Sequence, residues 1–315
     1  MINRVLLRIK IIQILYSCYK SEGKTARMVE KELFYSIEKT YDLYFHLLNL
    51  AIEITDYAVS RIESKKTKHR PTEEELNPNT RFIDNRFISQ LRKNRQLINY
   101  LKERKLSWVN NQDIIKSVYD EVIQSDFYFE YLADEKSDYT KDKEVWRKIF
   151  KKVILASEEL DNSIEDQSIF WTDDVEMVIS FIIKTIKRFD EETGAFQELL
   201  PMFKDQEDAD FASKLILGAL KNGESYRKII DENTKNWDLD RIAFMDILIM
   251  EVAISELMDF PTIPVNVTLN EYIEIAKNYS TDKSGTFING VLDKIVDLLK
   301  KENKLIKVKM FSKES

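Results

Sequence analysis

An all-α fold is predicted by three features of the sequence. Glycine occurs 6 times and proline 5 times in 315 residues, where ordinary usage would give roughly 22 and roughly 16. Sandwiches, small barrels and nucleotide-binding sheets need turn glycines at short intervals, and phosphate-cradling loops need glycine clusters. Long helices with short polar joints are what remains. Apolar residues also recur at helical spacing along most of the chain. Finally, 43% hydrophobic and 33% charged residues make the chain too apolar for a disordered protein and able to bury a core. The length predicts two domains, or one domain carrying a large insertion.

The elements follow in order. Leu7, Ile11, Ile14, Leu15 and Cys18 form one apolar face of a first helix. A second helix spans about residues 25–62 and ends in a polar stretch, 64–79, with Pro71, Pro78 and the cluster Lys65, Lys66, Lys68 and Arg70. That stretch reads as a solvated loop, with a nucleic-acid contact as the sharper alternative. Helical patterns resume at 86–105, 112–131, 143–159 and 173–192, and Gly194 and Pro201 mark a joint. Residues 210–221 predict a helix stopped at Asn222-Gly223, and 225–235 the next. Residues 240–258 are apolar nearly all round (Ile242, Met245, Ile247, Leu248, Ile249, Val252, Ala253, Leu257), the pattern of a central buried helix. After Pro261 and Pro264, Thr268-x-x-Glu271 has capping-box spacing and opens a helix to Tyr279. Asp282 or Ser284 caps the last helix, whose apolar face starts at Phe287. Gly290, inside that helix, costs about 1 kcal/mol against alanine, which predicts close approach by another helix or by a ligand. Residues 300–313 read as a frayed lysine-rich tail.

The net charge of −7 conceals an asymmetry. Residues 1–70 carry 13 Lys/Arg against 8 Asp/Glu, whereas residues 190–260 carry 7 against 17. A local basic site on an acidic body fits that split. The single cysteine, Cys18, excludes an intrachain disulfide and a cysteine-based zinc cluster, and its apolar neighbours predict a core residue. Arg8 and Lys10 interrupt the apolar N-terminal run, so no signal peptide is expected there. No stretch has the roughly 20 apolar residues of a membrane span. A soluble cytoplasmic protein is expected.

Catalytic signatures fail in turn. Residues 218–225 have the glycine spacing of a phosphate-binding loop, but Glu224 stands where the lysine belongs and would repel phosphate. Asp173-Asp174 lacks a third aspartate, the position being Met177. Neither His46 nor His69 has a second ligand one helical turn away. No cofactor, metal or enzyme activity is expected. The polar residues that stand out are of another kind. Arg4 and Arg8 lie one turn apart at the start of an apolar helix, where cations oppose the helix dipole. A polyanion would neutralise them, because helix amides and arginines together make a phosphate site; the alternative is a pair of ordinary surface arginines. Asn270 and Asn289, poor helix formers, either bond across an interface or face a ligand.

Residues 237–295 carry an ordered set of features: Trp237-x-Leu239-x-Arg241, Glu256-Leu257, Ile263-Pro264 followed by Val267, Asn270-Glu271, Ala276-Lys277, and the run Phe287-Ile-Asn-Gly-Val-Leu-Asp-Lys294. With Asp210-Phe211, Ile216-Leu217-Gly218, and Arg4, Arg8, Gln13 and Leu15-Tyr16 upstream, the chain resembles the NusB family of bacterial transcription antitermination factors over about a third of its length. The resemblance implies an all-α fold, a NusB-like helical bundle core with a long additional helical insertion. The implied organisation is a first core helix at 1–24, an insertion or extended N-terminal bundle at 25–205, a C-terminal helical domain at 206–302 and a basic tail at 303–315. It further implies binding of the boxA element of nascent ribosomal RNA together with NusE, a small-subunit ribosomal protein. With NusA and NusG, that complex lets RNA polymerase read through terminators. By resemblance the RNA-binding positions are Arg4, Arg8, Lys10, Lys283, Ser284 and Phe287, and the NusE-facing positions are Tyr16 and Asp246.

Two departures qualify the resemblance. Val5, Leu6 and Leu7 stand where members often carry further arginines, so the basic patch is thin. A helical scaffold with weak or lost RNA binding is therefore the alternative. The chain is also more than twice a typical member's length. In the added region the base-rich residues 92–105 read first as a solvated helix face and second as an extension of the RNA surface. A ribosomal RNA methyltransferase with a helical accessory domain of this fold would need a catalytic sheet domain, for which only about 20 residues follow Ile295.

Overall fold

The computed structural model describes residues 2–21, 23–134, 136, 138–234 and 243–308. Among them the fold is all-helical, and it divides into two compact units, Glu38–Met202 on one hand and Ile2–Ile37 with Phe203–Ser315 on the other. In chain order the helices are α1 (Arg4–Lys20), α2 (Ala26–Lys66), α3 (Glu73–Leu76), α4 (Arg86–Arg92), α5 (Arg95–Arg104), α6 (Gln112–Val122) and α7 (Asp126–Ala133). There follow α8 (Tyr139–Lys152), α9 (Glu158–Gln167), α10 (Val175–Arg188), α11 (Gln206–Thr234), α12 (Phe244–Asp259), α13 (Val265–Tyr279) and α14 (Ser284–Lys301).

The unit formed by Ile2–Ile37 and the residues from Phe203 on is organised on α12, which packs against α1, α11, α13 and α14. Its apolar residues lie on every side, as the sequence predicts, and Leu248, Ile249, Met250, Val252, Ala253, Ile254 and Leu257 are all buried. Each of these side chains other than Ala253 contributes about 1.5–3 kcal/mol when removed from water. α1 is held at its start by Asn3, whose side chain accepts the Leu6 amide at 3.0 Å, a cap worth about 1 kcal/mol. Cys18 is buried, in line with its apolar neighbours.

Asn222-Gly223 does not stop a helix; α11 runs straight through it. The reason is tertiary. A Cβ on Gly223 would stand 2.7 Å from Glu251 Oε1 and 2.9 Å from Tyr19 Oη, and one on Gly218 would stand 2.8 Å from Ser255 Oγ. The glycines are there to let α12 and α1 approach, and that packing overrides the local stop signal. Gly290, by contrast, has nothing within 4 Å of an added Cβ, so no described residue accounts for it. Thr268-x-x-Glu271 is not a cap either: α13 starts at Val265, and Thr268 is buried inside it. Trp237, Asp240 and Ile242 lie outside the described residues. The tail is not free at its start, since the Val308 amide donates to Pro261 O at 3.0 Å and Lys307 Nζ to Phe260 O at 2.9 Å; residues 309–313 lie outside the described set.

The Glu38–Met202 unit is packed on aromatic side chains, with Trp108, Trp146, Tyr44, Phe45, Phe82, Phe87 and Phe150 fully buried. His46 stacks on Trp108 at 4.1 Å and on Trp171 at 5.4 Å. Several long periodic stretches are split here. Residues 86–105 break at Lys93 because Asn94 caps α5 through the Leu97 amide while its own amide donates to Gln197 O at 2.7 Å. Residues 112–131 break before Ser125, and 143–159 divide into α8 and α9. The polar stretch 64–79 contains α3, started by a Thr72–Glu75 capping box.

Candidate nucleic-acid interface

The cations of α1 have unequal fates. Arg4 keeps its side chain 38% exposed, with Nε 3.2 Å from Asp208 and the guanidinium 5.0 Å from the Phe211 ring centre. Arg8 is only 3% exposed. Its Nε and a terminal nitrogen donate to the two oxygens of Glu256 at 2.7 and 2.9 Å, and the other terminal nitrogen reaches Glu271 at 3.2 Å. Burial disfavours its charge, but the bonds to Glu256 together with the electrostatic pull of Tyr272, Glu256 and Glu271 more than offset this and hold the guanidinium above its usual pKa. Lys10 is 1% exposed. The expectation that Arg8 and Lys10 present cations to RNA therefore needs correction. Both lie inside, and Arg8 spends its donors on an internal carboxylate clamp.

The clamp continues into α13. Thr268 Oγ1 donates to Glu256 Oε1 at 2.9 Å and Tyr272 Oη to Oε2 at 3.0 Å, so Glu256, fully buried, accepts from three side chains. Arg8, Glu256, Thr268, Glu271 and Tyr272 thus tie α1, α12 and α13 together. The sequence carried a signal for this: a carboxylate on a helix apolar all round has to find a buried donor.

At the other end of α12 lies a second group. Asp246 accepts from Ser280 Oγ at 2.6 Å, and Ser280 Oγ accepts from Ser284 Oγ at 3.1 Å. Ser284 and Asp246 are joined in this way, and both are buried. A partner-facing Asp246 would have to be exposed; its buried carboxylate instead anchors the turn that leads into α14. Phe287 is buried at the start of α14's apolar face, whereas Lys283 beside it is exposed. Tyr16 is 39% exposed and packs its ring 5.6 Å from that of Phe244, with Lys20 Nζ over both rings. Asn270 and Asn289 face solvent.

The predicted positions therefore do not form one patch. Arg4 lies at the α12 end marked by Phe211 and Phe260, whose rings are 4.9 Å apart. Lys283, Ser284 and Phe287 lie with Asp246, about 20 Å away along the helix axis. In the base-rich α4–α5 segment, Arg92 pairs with Asp56 and Arg104 with Asp42 and Glu38, while Lys93, Arg95, Lys102 and Lys105 are exposed. No group of three or more His, Cys, Asp or Glu among the described residues is placed to hold a metal ion, and no described helix is long and apolar enough to cross a membrane.

Fold and site define an all-helical protein in which partly exposed Arg4 and exposed Lys283 lie at opposite ends of one central helix. The NusB family model matches residues 175–297. The transcription antitermination protein NusB of Salinibacter ruber is 37% identical over 121 residues, 36% of this chain and 76% of that protein. The Geotalea daltonii protein of the same name is 45% identical over 89 residues, 28% and 61% of the two chains. A solved structure of T. maritima NusB is 28% identical, covers 44% of this chain and 84% of that one, and superposes with a TM-score of 0.28. The chain belongs to the NusB family. Residues 1–174, α1 included, lie outside the span that the family model matches.

Proposed function

We propose that this protein is a cytoplasmic transcription antitermination factor that binds a boxA-type segment of nascent ribosomal RNA together with NusE. In that role it joins NusA, NusG and RNA polymerase and promotes read-through without catalysing a reaction. The reading is carried by the relatives named transcription antitermination protein NusB, at 37% and 45% identity. Arg4 and Lys283 are the exposed cations for RNA phosphates, with Ser284 and Phe287 shaping the turn beside Lys283. Arg8 and Lys10 act from inside, by fixing α1. Tyr16, with Phe244 and Lys20 around it, offers the aromatic surface for NusE, and Asp246 holds the adjacent turn in place.

The test is a titration of boxA-type RNA with and without NusE at two salt concentrations. Binding should tighten with NusE. Arg4→Glu with Lys283→Glu should weaken it and flatten the salt dependence by about 0.7 per lost phosphate contact. Unchanged binding by the double variant would refute the assignment. The burial of Arg8 and Lys10 favours a second reading, a helical scaffold with weak or lost RNA binding; in that case the wild-type chain binds NusE and leaves RNA free.

A further inference from the structure

We infer that α8 and α10 form a second RNA-backbone contact surface, separate from the residues assigned above. The inference rests on the RNA-binding reading and extends it to RNA flanking the recognised segment. The two helices together carry nine Lys/Arg against three Asp/Glu, within a chain of net charge −7. They pack side by side and antiparallel: Lys143, early in α8, donates to Phe189 O at 2.8 Å just past the end of α10, while the turn after α8 packs back on α10.

This pairing sets Lys143, Arg147 and Lys151, spaced one turn apart on α8, along the flank next to α10. On α10, Lys184, Lys187 and Arg188 are exposed. Carboxylates match three of the nine bases: Glu144 pairs with Arg147, Asp134 with Lys141 and Glu130 with Lys148. Asp142 is buried and bonded to Arg86 and Tyr131, and Glu176 stands in the first turn of α10, about three turns from Lys187. Lys151, Lys184, Lys187 and Arg188 have no carboxylate partner among the described residues. The nearest acidic loop carries Asp190, Glu191 and Glu192, of which Glu191 pairs with Arg86. Helix dipoles favour cations in a last turn, which accounts for some of these bases but not for Lys184.

Charge complementarity selects the occupant. A protein partner would be anchored by buried aromatic or aliphatic side chains, and none of the exposed large apolar residues lies on α8 or α10. A row of cations without apolar anchors suits a phosphate backbone, which it would bind without reading sequence.

The experiment compares a boxA-type RNA with the same RNA extended by oligouridine tails, using the full chain with NusE. Lys151→Glu/Lys184→Glu/Lys187→Glu should bind the short RNA as wild type does. It should bind the tailed RNA on the order of tenfold more weakly, with a salt slope shallower by about 2. A control, Lys102→Glu/Lys116→Glu, exposed on α5 and α6, should change neither. If the triple variant binds tailed RNA like wild type, the α8–α10 surface is not an RNA contact, although boxA binding stands. If wild type binds neither RNA, the functional reading itself fails. Displacement of tailed RNA by polyglutamate as effectively as by oligouridine would overturn the proposal in favour of an acidic polypeptide.

Discussion

Replacing Arg8 by methionine separates a structural from an RNA-contacting role. Methionine fills the volume of the arginine stem and supplies no donor. Glu256, fully buried, would then keep only the hydroxyls of Thr268 and Tyr272. Removing one partner of a buried ion pair costs about 3–5 kcal/mol. A loss of about 3–5 kcal/mol is therefore expected. Arg8→Met/Glu256→Gln, which removes the stranded charge, should recover at least 1 kcal/mol of it. The assay must watch the correct unit. Three of the four tryptophans, Trp108, Trp146 and Trp171, lie within Glu38–Met202, so most of the fluorescence reports elsewhere. Amide hydrogen exchange in α1, α12 and α13 reads the effect directly, with protection falling on the order of a hundredfold or more. If Arg8→Met leaves exchange within a factor of five of wild type while RNA affinity collapses, the clamp argument is wrong and Arg8 contacts RNA.

Three further outcomes are expected. Burial pulls His46 down to about 4, against a smaller opposing effect of its bond to Gln167. The unfolded chain therefore binds this proton first, and the group's contribution, about 3 kcal/mol, is present above pH 6.5 and lost as pH falls towards 4. His46→Phe keeps the stacking on Trp108 and removes the titration; urea midpoints followed by tryptophan fluorescence should then depend less steeply on pH, and identical pH slopes would sink the assignment. Gly223→Ala should destabilise by about 1–3 kcal/mol, because Glu251 and Tyr19 are bonded to each other and cannot both swing clear of the new methyl. Gly290→Ala should instead stabilise by about 0.5–1 kcal/mol, since helical propensity improves and the space is open; equal signs at the two glycines in thermal or urea unfolding would contradict the packing argument.

How much of this was legible depends on range. Periodicity exposed the helices, and the apolar circumference of α12 exposed the centre of its unit, because both are written within one segment. The Gly223 stop signal misled because its remedy, the approach of Glu251 and Tyr19, comes from helices far away in sequence. The same holds for Thr268-x-x-Glu271. Its spacing is that of a cap, yet both side chains are drawn inward by Glu256 and Arg8. Arg8 itself looked like a cation free to meet a phosphate, and only the position of Glu256, 248 residues on, shows where its donors go.

Counting bases along the sequence fails for a related reason. The run from Arg92 to Lys105 is the denser one to the eye, but two of its six bases, Arg92 and Arg104, are matched by carboxylates of α2. α8 and α10, separated in sequence, bring their unmatched lysines to neighbouring faces only after folding. What attracts a polyanion is the field left after internal pairing, not the number of cations written in a row. On that criterion the added unit has the larger unpaired cationic surface, and the N-terminal helix, with Arg8 and Lys10 inside, the smaller. If the long form of this fold grips RNA more strongly than its thin N-terminus allows, the difference should vanish with Lys151, Lys184 and Lys187, and not with Arg92 and Arg104.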